Sequence, residues 1–126
     1  MYFMISPNEI KNRAAAFCRE WMLEEKEEAE AQTFWNDFFE VFGVTRRRVA
    51  SFEHPIKKLD KSQGYADLLW KGVLLVEHKS RGKDLDTAYQ QAKDYFPGLK
   101  DEELPRYIIV SDFAKFRIYD LEKKTA

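Results

Sequence analysis

The 126-residue chain contains one cysteine, carries a net charge of -1 and has no apolar run long enough to cross a membrane. With Cys18 alone it can form neither an internal disulfide nor a cysteine-based zinc site, which fits a reducing compartment. The N-terminus lacks the basic region and apolar stretch of a secretory signal. The near-zero charge excludes a general electrostatic attraction to nucleic acid. We therefore expect a cytoplasmic protein that does not bind membranes and would contact DNA only through local patches.

Hydrophobic residues make up 44% of the chain and aromatic residues 15%, which suits one ordered globular domain. A first helix is predicted to begin at Ser6, with Glu9 completing a capping box. Two apolar stripes follow at helical spacing, and Gly43 can end the second helix. The stripes are Ile10, Ala14, Phe17 and Trp21, then Phe34, Phe38, Val41 and Phe42. We expect the second stripe to pack on a sheet, an aromatic ligand-binding box being the alternative, and Cys18 to be a small core residue.

The rest of the chain alternates between strand and helix patterns. A strand is predicted over Val49–Glu53, with Pro55 marking either a sheet edge or the end of the strand, and a β-hairpin is predicted over Gly64–Lys79. A helix capped by Asp84 or Asp86 comes next. Two further strands are predicted at Tyr107–Ser111 and Ala114–Leu121. The order α-α-β-β-β-α-β-β indicates an α/β (α+β) fold, in which a mixed central sheet is flanked by helices.

Three charged residues interrupt the apolar hairpin: Asp67 on its first strand, and Glu77 and Lys79 on its second. Burying an unpaired ion costs several kcal/mol, so charges on apolar strands indicate a use. Glu-x-Lys also occurs elsewhere in this charged sequence, on the helices and the polar tail. Only Glu77-His78-Lys79 ends an apolar strand and faces an aspartate across a hairpin. The alternative is a buried acid–lysine pair that only stabilises the sheet.

Strand geometry supplies a test of this site. Side chains alternate, so Glu77 and Lys79 share one face and His78 points to the other. A two-residue turn at Lys71-Gly72 would place Asp67 on the wrong face. A three-residue loop, or a bulge with Gly72 at positive φ, sets Asp67 opposite Glu77. We therefore predict an odd loop or a bulge near Gly72.

Two carboxylates, the backbone carbonyl of His78 and water would suit Mg²⁺, which prefers oxygen ligands. A bound ion of this kind acidifies water and neutralises phosphate charge. Lys79 could then orient or deprotonate the attacking water, or stabilise the charged transition state. This pattern predicts a metal site with a catalytic lysine beside it.

Asp67…Glu77-x-Lys79 in this order of elements resembles the PD-(D/E)xK nuclease superfamily, although Ala66 stands where the proline would be. Gln91 and Tyr95 resemble the Gln-x-x-x-Tyr element of RecB-like branches, and at helical spacing they share one face. The chain is most similar to the N-terminal nuclease domain of MmeI-like (type IIL) restriction–modification enzymes. Four stretches carry that similarity: Glu30–Trp35, Phe38–Val44, Glu77–Gly82 and Asp94–Leu99.

The resemblance implies a restriction-endonuclease-like fold and a Mg²⁺-dependent DNA endonuclease, with Mn²⁺ as a substitute. It implies metal binding by Asp67 and Glu77 and catalysis by Lys79, assisted by Gln91 and Tyr95. Glu30 is a further candidate metal ligand, although it lies in an acidic run from Glu24 that is typical of a solvated helix face. The candidate DNA contacts are Ser80, Arg81, Lys83, Arg46, Arg47 and Arg48, and such short basic clusters more often serve solubility.

The family's domain precedes a methyltransferase that uses S-adenosylmethionine (SAM) and a target-recognition region. Neither an Asn-Pro-Pro-Tyr motif nor a SAM-binding glycine loop occurs here, so residues 1–126 are predicted to be one nuclease domain from a larger polypeptide. Double-stranded DNA is the expected partner, and dimerisation during cleavage is an open option. The alternative function is a catalytically inactive, nuclease-like module for DNA binding or assembly of a methyltransferase.

Overall fold

The structure is a computed structural model that describes residues 5–22, 24, 27–58, 60 and 62–122. Over these residues the order of helices and strands is the predicted one. The helices are α1 Pro7–Trp21, α2 Glu27–Val41 and α3 Leu85–Asp94. The strands are β1 Ser51–Lys57, β2 Gln63–Trp70, β3 Leu74–His78, β4 Tyr107–Ser111 and β5 Phe116–Asp120. Short 3₁₀ segments lie at Arg46–Arg48, Phe96–Gly98 and Asp101–Glu103.

Side-chain caps begin two of the helices. The Ser6 hydroxyl accepts the N–H of Glu9 at 3.1 Å, which confirms the predicted start of α1. Asp84 caps α3, because its carboxylate accepts the N–H of Asp86 at 2.9 Å and the hydroxyl of Thr87 at 2.9 Å. Each such cap satisfies a backbone donor that the first helical turn leaves unpaired. No helix within the described ranges is long and apolar enough to span a membrane.

The five strands form one mixed sheet in the order β1-β2-β3-β4-β5. The first three strands are antiparallel neighbours, β4 runs parallel to β3, and β5 returns antiparallel along β4. The parallel pair requires a crossover, and α3 lies within it. The predicted mixed sheet is confirmed, and β3, which carries Glu77, lies at its centre.

Helices cover both faces of the sheet. On one face α1 and α2 pack against Leu68 and Val76, and on the other α3 packs against Leu69 and Leu75. The aromatic side chains of α2 are core residues rather than a ligand-binding box, since Phe34 is fully buried. Leu75 and Val76 thus face different helices, and Glu77 shares the alternation and the α3 face of Leu75. On β2 the alternation shifts beside Asp67, since Ala66 and Leu69 both belong to the α3-side cluster. Asp67 lies on the α3 side as well, because its charge and that of Glu77 both act on Tyr95.

Two sequence predictions were wrong in detail. Cys18 is exposed rather than part of the core, because α1 turns Trp21 toward the sheet and leaves Cys18 on the outer side. Strand β1 begins two residues later than predicted, since the N–H groups of Val49 and Ala50 still bond to Arg46. It also continues through Pro55, which an edge strand tolerates because proline lacks only a solvent-facing donor.

Candidate active site at the β2–β3 hairpin

The loop of the hairpin has the predicted odd length. Strand β2 ends at Trp70 and β3 begins at Leu74, so three residues connect them, and Gly72 has a φ of +78°. Glycine adopts that conformation without the steric cost that other residues incur. The pairing ends at Leu68 with Val76, and the next residues of the two strands, Asp67 and Glu77, are joined by side-chain contacts to the backbone. The register that the site requires is confirmed.

The two carboxylates lie side by side and are tied to the backbone of the hairpin. Asp67 Oδ2 accepts the N–H of His78 at 2.7 Å, and Glu77 Oε1 lies 3.4 Å from the N–H of Asp67. Glu77 is only 3% exposed and Asp67 is half-buried. Two adjacent carboxylates in a partly dry setting repel each other, and a cation between them would relieve that repulsion.

The end of β3 directs a backbone carbonyl, and by alternation the Lys79 side chain, toward the carboxylates. In an extended strand the N–H and C=O of one residue point toward the same neighbouring strand. The N–H of His78 reaches Asp67 on β2, so the His78 carbonyl is directed to that side as well. Lys79 follows directly, is half-buried, and shares the Glu77 face by alternation. Its own N–H donates to Ser111 of β4 at 2.7 Å, which holds the backbone in place.

Helix α3 brings Tyr95 to the carboxylates. Burial, followed by the negative charges of Glu77 and Asp67, raises the pKa of Tyr95 well above its ordinary value. The Tyr95 hydroxyl donates to the carbonyl of Tyr65 on β2 at 2.9 Å, so it braces that strand. Gln91 lies one turn earlier on α3 and is half-buried. Tyr95 is thus a neighbour of the site, and a part for Gln91 in catalysis stays a prediction.

A comparison with known protein families identifies the chain. The sequence model described as "MmeI, N-terminal domain" matches residues 12–126. The chain belongs to the MmeI N-terminal domain family. No curated protein and no solved structure matches it. The match spans the hairpin, α2 and α3, so every residue of the candidate site lies within the MmeI-type domain.

Glu53 is a third acid near this site that was not predicted from the sequence. Pairing of Phe52 with Leu68 and of His54 with Ala66 places Glu53 on β1 opposite Asp67. Its φ is +48°, a conformation that is uncommon for residues other than glycine, asparagine and aspartate. The charge of Glu53 also contributes to the raised pKa of Tyr95, after the charges of Glu77 and Asp67. The only sequence signal for Glu53 was that an acid lies within a predicted strand. The sequence does not show which strand β1 pairs with, so it could not place Glu53 near Asp67.

The candidate metal site of the MmeI-type domain contains two carboxylates, those of Asp67 and Glu77, rather than three. Within the part of the chain that the structure describes, no three of its His, Cys, Asp and Glu side chains are close enough to share a metal ion. Glu30, which is described and half-buried on α2, is therefore not gathered with Asp67 and Glu77. Residues 25 and 26 of its acidic run lie outside the described residues. Two carboxylates and a carbonyl nevertheless fit Mg²⁺, which keeps several water ligands.

The ring of His78 lies on the opposite face from the carboxylates, as predicted. It is fully buried among α2 and the β4–β5 turn, with ring centroids 5.1 Å from Phe34 and 4.2 Å from Phe113. Burial lowers the pKa of His78 to about 4, against the opposing charge of Asp112, so the ring is neutral at pH 7. A side chain on that face cannot reach an ion between Asp67 and Glu77, and only the backbone of His78 faces the site.

Two arginines predicted to contact DNA are engaged within the protein. Arg46 donates to Asn36 at 2.7 Å and to the Ala50 carbonyl at 2.9 Å, and its guanidinium lies 3.9 Å from the Phe52 ring centroid. Arg81 donates to the carbonyls of residues 22 and 24 at 2.8 and 2.9 Å, which ties the β3–α3 loop to the end of α1. These contacts assign both arginines a structural part, and DNA contact by them stays a prediction.

The other candidate DNA contacts differ in exposure. Arg47, Arg48 and Lys83 are exposed, and Ser80 is half-buried. Arg47 and Arg48 line a cleft with Lys71 at the turn end of the hairpin. Lys83 lies at the other end, in the loop that follows Lys79. Basic side chains therefore flank the carboxylates along the hairpin, an arrangement that suits phosphates of an extended strand.

Asp112 anchors the loop that carries Lys79, and we predict that this anchor depends on pH. Its buried carboxylate accepts N–H groups from Gly82 at 3.0 Å, Ala114 at 3.1 Å and Lys115 at 2.8 Å. Burial alone would raise the pKa of Asp112, but these three bonds outweigh it and hold the pKa below 3.8. Because the pKa of Asp112 is lower in the folded protein than in the unfolded chain, the charged carboxylate stabilises the fold. This stabilisation is fully present above about pH 3.8 and is lost as the pH falls through the lower pKa of the folded protein.

Asp112→Asn should therefore destabilise the domain by about 1–3 kcal/mol at neutral pH, since bonds to a charged group are replaced by weaker ones. Urea unfolding of both proteins at pH 7 and again at about pH 3 measures the difference in free energy. The difference should shrink at the lower pH. A difference that stays constant would show that the charge of Asp112 does not contribute.

Proposed function

We propose that this MmeI-type domain is the nuclease module of a type IIL restriction–modification enzyme and hydrolyses phosphodiester bonds of double-stranded DNA with Mg²⁺. The observation that supports this proposal is the register of the hairpin, which brings Asp67 beside Glu77 and places Lys79 directly after the last residue of β3. An acid facing Glu-x-Lys across a hairpin is also what the resemblance to the PD-(D/E)xK superfamily implies, and it supports the proposal. The fold, a mixed sheet with helices on both faces, is compatible with it.

In this proposal Asp67, Glu77 and the His78 carbonyl would hold the ion, and Mn²⁺ would replace Mg²⁺. When bound, the ion supplies an acidified water and neutralises charge on the phosphate. Lys79 orients the water and takes its proton, or donates to the phosphate oxygen on which charge develops. Tyr95 holds β2 through its bond to the Tyr65 carbonyl, which supports Asp67 two residues further along.

The proposal assigns sequence recognition to other parts of a larger polypeptide. A methyltransferase region that binds SAM and a target-recognition region would follow this domain, and two copies would meet if both DNA strands are cut. Because the domain has a net charge of -1, its own affinity for DNA is expected to be weak. Exposed Arg47, Arg48 and Lys83 would supply phosphate contacts.

Binding of Mn²⁺ to the 126-residue chain tests the proposed metal site. Isothermal titration of the wild type should show an ion bound, and Asp67→Asn and Glu77→Gln should each weaken that binding by at least about tenfold, because each removes one charged ligand. Glu53→Gln is the matched control, since it removes an acid from the same row without removing a ligand. Absence of binding by the wild type would favour an inactive, nuclease-like module for DNA binding or assembly.

A further inference from the structure

We infer that Trp35 and the ring of His78 position the metal ligands from the opposite face of the sheet, an inference that rests on the proposed metal site. The indole N–H of Trp35 donates to His78 Nδ1 at 2.9 Å, and both side chains are buried. This bond joins α2 to the last residue of β3. Neither side chain touches the carboxylates, so their part would be positioning rather than catalysis.

The unpaired nitrogen of His78 indicates what the histidine contributes. Because Nδ1 accepts the indole N–H, the proton of the neutral ring is on Nε2. Nε2 is buried and finds no hydrogen-bond partner among the residues that the structure describes. An apolar side chain of similar size would avoid such an unsatisfied donor. The distinctive contribution of His78 at this position is therefore the acceptor that Nδ1 presents to Trp35.

The same residue holds the metal site through its backbone. The N–H of His78 donates to Asp67 Oδ2 at 2.7 Å, and its carbonyl is directed to the same side. Regular pairing of β3 ends here, and the next N–H, that of Lys79, bonds to Ser111 on β4. The Trp35 bond prevents rotation of the ring and fixes the Cα from which both backbone groups project. Groups that orient metal ligands in this way commonly change metal affinity by 10–100-fold when removed.

Trp35→Phe tests the inference, with Trp21→Phe as the matched control. Trp21 is buried in the same core cluster, and its indole donates to Asp37 at 3.2 Å, a bond that ends on α2 rather than on β3. Both variants remove one indole hydrogen bond from one apolar core. By titration, Trp35→Phe should weaken Mn²⁺ binding by about tenfold, whereas Trp21→Phe should change it by less than about twofold. Far-UV circular dichroism confirms that each variant is folded.

A second pair of variants tests the acceptor itself. His78→Asn keeps an oxygen near the position of Nδ1, whereas His78→Leu removes the acceptor. The asparagine variant should bind Mn²⁺ more tightly than the leucine variant. If His78 only filled space in the core, the two variants would not differ in this way. This pair also decides the question if Trp35→Phe does not fold.

The outcomes separate the inference from the function on which it rests. If the wild type binds no Mn²⁺, the proposed metal site is wrong and the inference fails with it. If the wild type binds Mn²⁺ and Asp67→Asn does not, but Trp35→Phe binds as tightly as the wild type, only the inference is overturned. Equal weakening by Trp35→Phe and Trp21→Phe would likewise overturn it, since core packing would then explain both.

Discussion

Lys79→Ala is expected to bind Mn²⁺ as the wild type does and to lose DNA cleavage by about 10³-fold or more. Lys79 directly follows the last residue of β3, and strand alternation puts its side chain on the face of Glu77. Its nitrogen is not one of the oxygen ligands that Mg²⁺ prefers. Removing its amino group would remove the group that orients the attacking water or, as the neutral amine, accepts its proton. The measurement is the rate of nicking of supercoiled plasmid in Mg²⁺, at protein concentrations that saturate the DNA.

Lys83→Ala is the matched control for this experiment. Lys83 is an exposed lysine in the same loop and lies beyond the end of β3. We expect its loss to weaken DNA binding slightly and to leave the rate at saturation within about threefold, because one phosphate contact adds affinity rather than chemistry. Undiminished nicking by Lys79→Ala would contradict the proposed mechanism. Loss of cleavage together with loss of Mn²⁺ binding would place Lys79 in the metal site instead.

Gly98→Ala is expected to destabilise the domain by about 3 kcal/mol, a large effect for one methyl group. A Cβ on Gly98 would overlap the Lys57 carbonyl oxygen and lie 2.7 Å from Ile56 Cγ2. A backbone atom cannot move aside as a side-chain end can, so β1 would have to shift away from the 3₁₀ segment. That segment directly follows Tyr95, which braces β2 near Asp67.

Urea unfolding measures this effect, with Gly82→Ala as the comparison. A Cβ on Gly82 would meet nothing within 4 Å, although the φ of +86° is unfavourable for alanine. The cost there should be about 1–2 kcal/mol, from backbone conformation alone. The Gly98→Ala midpoint should therefore be the lower of the two at an unchanged slope. Equal midpoints would mean that β1 and the 3₁₀ segment separate without cost.

The local features of the site could be predicted from the sequence because they depend on short-range geometry. Alternation of side chains predicted that Glu77 and Lys79 share a face. Asp67 can lie on that face only if the loop at Gly72 has an odd length, and the structure has such a loop. Caps at Ser6 and Asp84 were visible for the same reason, since a cap involves residues two or three positions apart.

The features that were missed depend on contacts between distant parts of the chain. Glu53 reaches the row of acids only through the pairing of β1 with β2, and Cys18 is exposed only because of how α1 rotates against the sheet. Arg46 and Arg81 are basic residues in loops by sequence, yet Arg46 bonds to Asn36 on α2 and Arg81 bonds to backbone carbonyls at the end of α1. A basic residue bound in this way and one exposed to solvent look alike in the sequence.

The sequence by itself therefore determined the order of elements, the hairpin register and the residues proposed to bind the ion. Periodicity and turn stereochemistry are properties of neighbouring residues, and together with the requirement of a shared site and the family resemblance they led to those conclusions. Only the tertiary structure decided which groups support the site from the opposite face of the sheet. The bond between Trp35 and His78 spans 43 positions, and no local pattern specifies it. It forms because α2 packs on the face of β3 that is opposite the carboxylates.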